Sequence, residues 1–282
     1  MPAAVNEHNP DLPELDEKQE QEARDRTSVQ AVVVHEAIRR DGEDELCRSW
    51  SALAWSGFAA GLSMGFSFVG EGIIAAHLPD AQWRPLIVSL GYPLGFLIVI
   101  IGRQQLFTEN TLTAVIPLLS ERTIGKVFAV LRLWIIVLIA NLAGAHLFAW
   151  GIAAGPVFGA PVMDAFHTIA MQAVDLTFGA ALIRGVFAGW LIAMVVWMNA
   201  AVQTGRFVII VTLTYVVGLA GLTHVVAGAT EVLFLAMTGV RSWISVVTGY
   251  ILPALLGNIL GGVSLVSLLN HAQVITDRQH KH

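Results

Sequence analysis

The sequence predicts an all-α integral membrane protein with six transmembrane helices, arranged as an inverted 3+3 repeat in which helices 2 and 5 are broken. The first observation is composition. The 282 residues are 55% hydrophobic and 13% charged, with a mean hydropathy of +0.67, which is too apolar for an ordinary soluble domain. The other two observations are six apolar stretches of spanning length and polar breaks at matching places in the two halves.

A hydrocarbon core about 30 Å thick needs roughly 20 apolar residues per helix. The second and fifth apolar stretches exceed this length and are interrupted, at residues 103–111 and at Thr223 and His224. Irregular backbone at membrane depth is tolerated only where it is buried in protein or lines a cavity, so both breaks are predicted to line a pathway. The six stretches are Ala52–Ala76, Leu86–Leu119, Val127–Ala154, Phe178–Val202, Phe207–Met237 and Trp243–Leu269.

Polar segments flank the apolar body. Residues 1–50 hold 13 acidic and 6 basic residues, so the net charge of −5 gives no indication of nucleic-acid binding. Residues 1–27 are predicted to be disordered, and residues 28–48 to form an amphipathic helix on the membrane surface or under the body. Residues 51–270 then form the transmembrane domain, and residues 271–282 a cytoplasmic tail.

The distribution of Lys and Arg predicts the orientation. Eleven of these residues lie in segments on the same side of the membrane as the amino terminus, and two, Arg84 and Arg241, lie in loops on the opposite side. Because Lys and Arg are enriched on the cytoplasmic side, both termini are predicted to be cytoplasmic and the protein to lie in the inner or plasma membrane. The start of the chain lacks the pattern of a cleavable signal peptide. Cys47 is the single cysteine, and no Cys/His cluster indicates a metal or other cofactor.

Residues 140–145 (ANLAGA) and 257–262 (GNILGG) share a small-Asn-x-x-Gly-small pattern. The asparagine of the first follows Thr108 by 33 residues, and that of the second follows His224 by 34. Three helices per half force the halves to run in opposite directions, and matching broken helices point to a permeation site near the midplane. The alternative is coincidence among glycine-rich helices.

His224, preceded by Thr223, is an ionisable residue at membrane depth, which is by default a functional-site hypothesis. Such a histidine is predicted to exchange a proton with an entering weak acid. The structural alternative is a neutral histidine bonded to a backbone carbonyl.

Residues 106–110 (LFTEN) are predicted to form a segment of the pathway in which a small anion loses its hydration shell. Thr108, Asn110 and backbone N–H groups offer polar contacts, while Leu106 and Phe107 narrow the path. The alternative is a kinked helix whose polar residues face neighbouring helices.

These motifs resemble, in order and over residues 51–270, those of the formate/nitrite transporters. The resemblance implies an aquaporin-like fold and a homopentamer with one pore in each protomer, which passes small monovalent anions such as formate, nitrite, acetate, lactate or hydrosulfide. The matching segments are Leu106–Thr108, Trp190–Met198, Gly221–Ala227, and Pro253 with Gly257–Gly262.

The resemblance also implies roles for individual residues. His224 is the central protonatable residue and Thr108 its partner across the pore. Leu106 and Tyr92 form one constriction, and Val217, in place of a bulkier aromatic residue, forms another.

Several positions depart from the family pattern. Ala173 stands where the family commonly has a lysine near the pore, Gly189 and Gly228 stand where it has asparagines, and Thr223 where it often has glutamate. Loss of the lysine removes a charge that attracts anions unless Arg184 substitutes for it; snorkelling or ion pairing is the alternative for this arginine. The resemblance therefore predicts the fold of this chain better than it predicts the substrate.

The sequence thus predicts a transporter or channel for small monovalent anions of weak acids, passing His224 and open to proton linkage, with the anion, protons and membrane lipids as partners. It is predicted not to be an enzyme. Two alternatives stay open. One is a neutral-solute channel, although the Asn-Pro-Ala loops usual for that class are missing. The other is a membrane receptor or assembly partner with a non-transporting pore.

Overall fold

The computed structural model describes residues 16–18, 29–155, 157–269 and 272–273. These residues form helices and no strands, which confirms the all-α prediction. The chain divides into two units, Met1–Gln30 and Ala31–His282, and every helix described below belongs to the second. The disorder predicted before residue 28, and most of the tail predicted after residue 270, lie outside the described residues.

The helices follow one another with short connections. Two π-helical segments, Val247–Ile251 and Gly261–Leu268, lie before and after the helix Leu252–Leu260. The α-helices are α1 (Ala31–Cys47), α2 (Trp50–Ala76), α3 (Arg84–Val88), α4 (Pro93–Ile101), α5 (Asn110–Thr113), α6 (Val115–Glu121), α7 (Ile124–Ala154), α8 (Ala160–Val174), α9 (Phe178–Ala201), α10 (Arg206–Leu219), α11 (Ala227–Met237), α12 (Trp243–Val246) and α13 (Leu252–Leu260).

The apolar helices follow the predicted stretches. The fifth stretch is two shorter apolar helices, α10 and α11, separated by residues 220–226. In the second stretch, α4 ends at Ile101 and the next helix, α5, begins at Asn110. Both predicted breaks are therefore confirmed. Five helices of the described chain are long and apolar enough to cross a membrane: Trp50–Ala76, Arg84–Ile101, Ile124–Ala154, Phe178–Ala201 and Trp243–Ser264.

Helices α4 and α10 end in the same way. The N–H of Gln104 donates to the carbonyl of Val99 at 3.0 Å, and the N–H of Leu222 donates to that of Val217 at 3.0 Å. The residue before each donor is left-handed, with φ 55° at Arg103 and 58° at Gly221. These are Schellman caps, and they turn the chain out of both helices at equivalent points.

Two buried asparagines hold the broken segments, and their equivalent hydrogen bonds relate the two halves of the chain. Oδ1 of Asn141, on α7, accepts the N–H of Phe107 at 2.9 Å, and Oδ1 of Asn258, on α13, accepts that of Val225 at 2.8 Å. Each Nδ2 then donates to two carbonyls at equivalent positions, which confirms the predicted repeat. The carbonyls are those of Gly57 (2.7 Å) and Gln105 (2.9 Å) for Asn141, and Gly185 (2.9 Å) and Thr223 (2.9 Å) for Asn258.

Close helix pairs bring these asparagines into position. Helix α2 packs on α7 and α9 packs on α13. A Cβ atom at Gly61 would overlap the carbonyl oxygen of Asn141, and one at Gly189 would overlap that of Asn258. Glycine at these two positions therefore allows the backbones to approach closely. Gly189, where the family has asparagine, belongs to this helix contact.

Helix α1 packs against α5, α6, α7 and α9. Lys126 at the start of α7 forms an ion pair with Glu43 of α1. The guanidinium of Arg132 donates to the carbonyls of Leu46 and Arg48, so it caps the carboxyl end of α1, where a positive charge is favourable. Helix α1 thus lies against the helix bundle.

Candidate functional site

The two broken segments meet at a hydrogen bond between Thr108 and His224. Oγ1 of Thr108 lies 2.7 Å from Nε2 of His224, and both residues are fully buried. Thr108 directly follows the residue held by Asn141, and His224 directly precedes the residue held by Asn258. The asparagine anchors therefore fix the position of both side chains.

The hydrogen bonds of His224 define its tautomer. The N–H of Ala227 donates to Nδ1 at 3.0 Å, so Nδ1 is an acceptor and the neutral ring carries its proton on Nε2. Nε2 then donates to Oγ1 of Thr108, which leaves the hydroxyl proton of Thr108 available to another acceptor. The neutral histidine considered from the sequence is thus bonded to a backbone N–H rather than to a carbonyl. A second proton on Nδ1 would break the bond from Ala227.

Two cavities lie on either side of this pair. The distal cavity, about 160 Å³, is lined by Tyr92 at the start of α4 and Val217 near the end of α10. The α1-side cavity, about 670 Å³, is lined by Ile101 at the end of α4 and Ile210 near the start of α10. Because the same two helices reach one cavity with each end, the cavities face opposite sides of the bundle.

Thr108 and His224 line neither cavity. Phe96 covers the His224 ring, with ring centres 5.1 Å apart, and Phe107 packs on Trp134 at 5.7 Å. Phe107, predicted to narrow the path, lines neither cavity. The Thr108–His224 pair is therefore buried between the two cavities, with aromatic rings packed beside it.

Tyr92 and Leu106, predicted to form one constriction, line different cavities. Tyr92 lines the distal cavity with Val217, whereas Leu106 lines the α1-side cavity. Helix α4 separates them, and its nine residues extend about 13 Å. Tyr92 and Val217 thus share the distal cavity, and Leu106 lies at the opposite one.

Three other predicted residues have local hydrogen-bond partners. The hydroxyl of Thr223 donates to the carbonyl of Ala181 at 2.6 Å, and Nδ2 of Asn110 donates to Oε1 of Gln105 at 3.0 Å. Arg184 donates to the carbonyl of Gly221 at 3.3 Å. Thr223 and Arg184 line the distal cavity, and Asn110 lines the α1-side cavity.

The distal cavity contains residues that were not singled out from the sequence. Glu71 of α2 and Tyr250 line its wall beside Glu231 of α11. Glu71 is the sole acid of the first apolar stretch, and an acid at membrane depth is the signal that could have identified it. The hydroxyl of Tyr250 occupies the space that a side chain at Gly228 would need, which accounts for glycine at that position.

The chain is similar to a known family and to several known proteins. Residues 32–272 match the family described as "Formate/nitrite transporter". The chain is 41% identical over 257 residues to "Inner membrane protein YfdC" of Escherichia coli, covering 91% of this chain and 83% of that protein. It is 27% identical over 224 residues to "Nitrite transporter NirC" of Salmonella typhimurium, covering 75% and 81%.

A solved structure shows the same fold. It is described as "Pentameric formate channel with formate bound" and matches with a TM-score of 0.66 at 20% identity, covering 84% of this chain and 99% of that one. The family match spans most of this chain. The chain belongs to the formate/nitrite transporter family.

Proposed function

We propose that the protein carries small monovalent anions of weak acids, such as formate or nitrite, through one pore in each protomer of a homopentamer in the inner membrane. The observation that carries this proposal is the Thr108–His224 hydrogen bond between two opposed cavities. The nitrite transporter and the formate channel among its similar proteins support the substrate class. The latter also supports the pentamer, and the inner membrane relative supports the location.

The barrier favours passage with a proton. An ion moved into an apolar, water-free environment loses far more solvation free energy than a neutral molecule does. The hydroxyl of Thr108 offers a hydrogen bond to a substrate oxygen, and His224 orients that hydroxyl by donating to Oγ1. We infer that a weak acid crosses this point as its neutral form. In the predicted orientation, the distal cavity opens to the outside and the α1-side cavity to the cytoplasm.

Uptake by the purified protein in liposomes tests the proposal. Formate, nitrite, acetate and lactate are supplied outside, with and without an inward proton gradient, and protein-free liposomes serve as the control. We expect uptake of at least one of these anions, accelerated by the gradient by up to about tenfold per pH unit. An intact oligomer that carries none of them contradicts the proposal, and uptake of glycerol instead indicates a neutral-solute channel.

A further inference from the structure

The distal cavity holds two carboxyl groups for which the proposed pathway gives no role. Glu71 is 7% exposed and Glu231 is 8% exposed, and both line the cavity of about 160 Å³. Within the described parts of the chain, neither carboxyl has a hydrogen bond or an ion pair. Two nine-tenths buried carboxyls without protein partners therefore face one small space that a substrate must cross.

The surroundings supply little compensation for negative charge. Arg184, on α9, is the cation of the cavity wall, but its guanidinium donates to the carbonyl of Gly221. Helix α8 contributes Ala173 and other uncharged residues. Tyr92 and Tyr250 also face the cavity and contribute hydroxyl groups but no positive charge. An unpaired buried carboxylate is costly, and two that line one small cavity cost more, so this pair suits a site that binds and releases protons.

The central pair is a poor source of the proton that a weak acid needs. Nδ1 of His224 accepts the N–H of Ala227, and the neutral ring has its one proton committed to Thr108. Giving up that proton would leave an imidazolate, which is not accessible near neutral pH. The proton must therefore be acquired before the substrate reaches His224, and the distal cavity lies on the way.

We propose that Glu71 and Glu231 form a proton-loading site for weak-acid anions, an inference that rests on the function proposed above. A protonated carboxyl breaks its O–H bond as an O–H bond forms on an oxygen of the entering anion. The products are the neutral acid and one carboxylate, so the charge in the cavity is unchanged. The neutral acid continues past Val217, and the carboxylate takes a proton back from the outer solution.

The test compares formate with acetate, whose parent acid is about tenfold weaker, so that its undissociated fraction in neutral solution is about tenfold larger. If protonation occurs in the cavity, uptake by the wild type follows the total anion concentration. The double substitution Glu71→Gln, Glu231→Gln keeps size and hydrogen bonding but removes both acidic protons. In the double variant, only formic or acetic acid molecules that are already undissociated in the bulk solution would enter the pore.

We expect the double variant to lose formate uptake by about tenfold or more and its formate-to-acetate rate ratio to fall by about tenfold relative to the wild type. The matched control is Asp80→Asn, which removes an exposed carboxylate of the connection after α2 that pairs with Arg84, and both rates should stay within about twofold of wild type. Size-exclusion chromatography checks that each variant assembles.

Three outcomes overturn the inference in distinguishable ways. An assembled double variant with the wild-type rate ratio shows that the carboxyls do not load protons, while the proposed transport stands. Wild-type protein that carries methylammonium, lost in the double variant, makes the pair a cation site. Wild-type protein that carries neither anion contradicts the proposed function itself.

Discussion

Substitution of Asn258 by leucine is expected to destabilise the protein by about 2–5 kcal/mol. Leucine has nearly the same shape as asparagine but makes no hydrogen bonds. The N–H of Val225 would lose its acceptor, and the carbonyls of Gly185 and Thr223 would lose a donor, all of them at a fully buried position. Thermal unfolding in detergent measures the loss, which we expect to accompany a reduced yield of oligomer.

Asn199→Leu is the matched control, because it removes an asparagine whose buried Oδ1 has no partner in the described chain. Its effect on thermal unfolding should be below about 1 kcal/mol. The equivalent substitution Asn141→Leu should resemble Asn258→Leu, since its hydrogen bonds are the same in number and kind. Equal unfolding temperatures for the Asn258 and Asn199 variants would show that the asparagine anchors do not hold the broken helices.

Substitution of His224 by asparagine is expected to slow weak-acid uptake by about ten- to a hundredfold. The side-chain oxygen of asparagine can accept the N–H of Ala227 in place of Nδ1, so the local fold is retained. The donor that orients the Thr108 hydroxyl is lost. A substrate crossing the barrier then meets a hydroxyl that is no longer directed toward it.

His146→Asn is the control for this experiment. His146 is on α7, and its ring stacks on Trp243 with centres 5.6 Å apart, away from both cavity linings. Uptake by the variant should stay within about twofold of wild type. Unchanged uptake by an assembled His224→Asn variant would remove His224 from the pathway.

The sequence predicted the broken helices and the repeat because both leave local signals. A polar run inside an apolar stretch marks a break. The nearly equal spacings from Thr108 to Asn141 and from His224 to Asn258 indicate that each asparagine belongs to one break. In the structure, each asparagine bonds to the break of its own half. The spacing did not show that the two breaks meet through a Thr108–His224 hydrogen bond, which the resemblance implied.

Other features of the site depend on three-dimensional placement. Tyr92 and Leu106 are near in sequence, but helix α4 carries them to opposite cavities. Glu71 hardly changes the mean hydropathy of its stretch, because its neighbours are apolar. Glu71 and Glu231 line the same cavity only because α2 and α11 pack together. The departures from the family pattern at positions 173 and 228 did not show that carboxyl and tyrosine side chains line the cavity there.

The central claim is that a weak acid crosses the protein together with one proton. Its most direct test is to record anion uptake, internal pH and membrane current in the same liposomes containing the wild-type protein. The account predicts one proton taken up for each formate or nitrite and no net current. Anion uptake that carries current without acidifying the interior would contradict it.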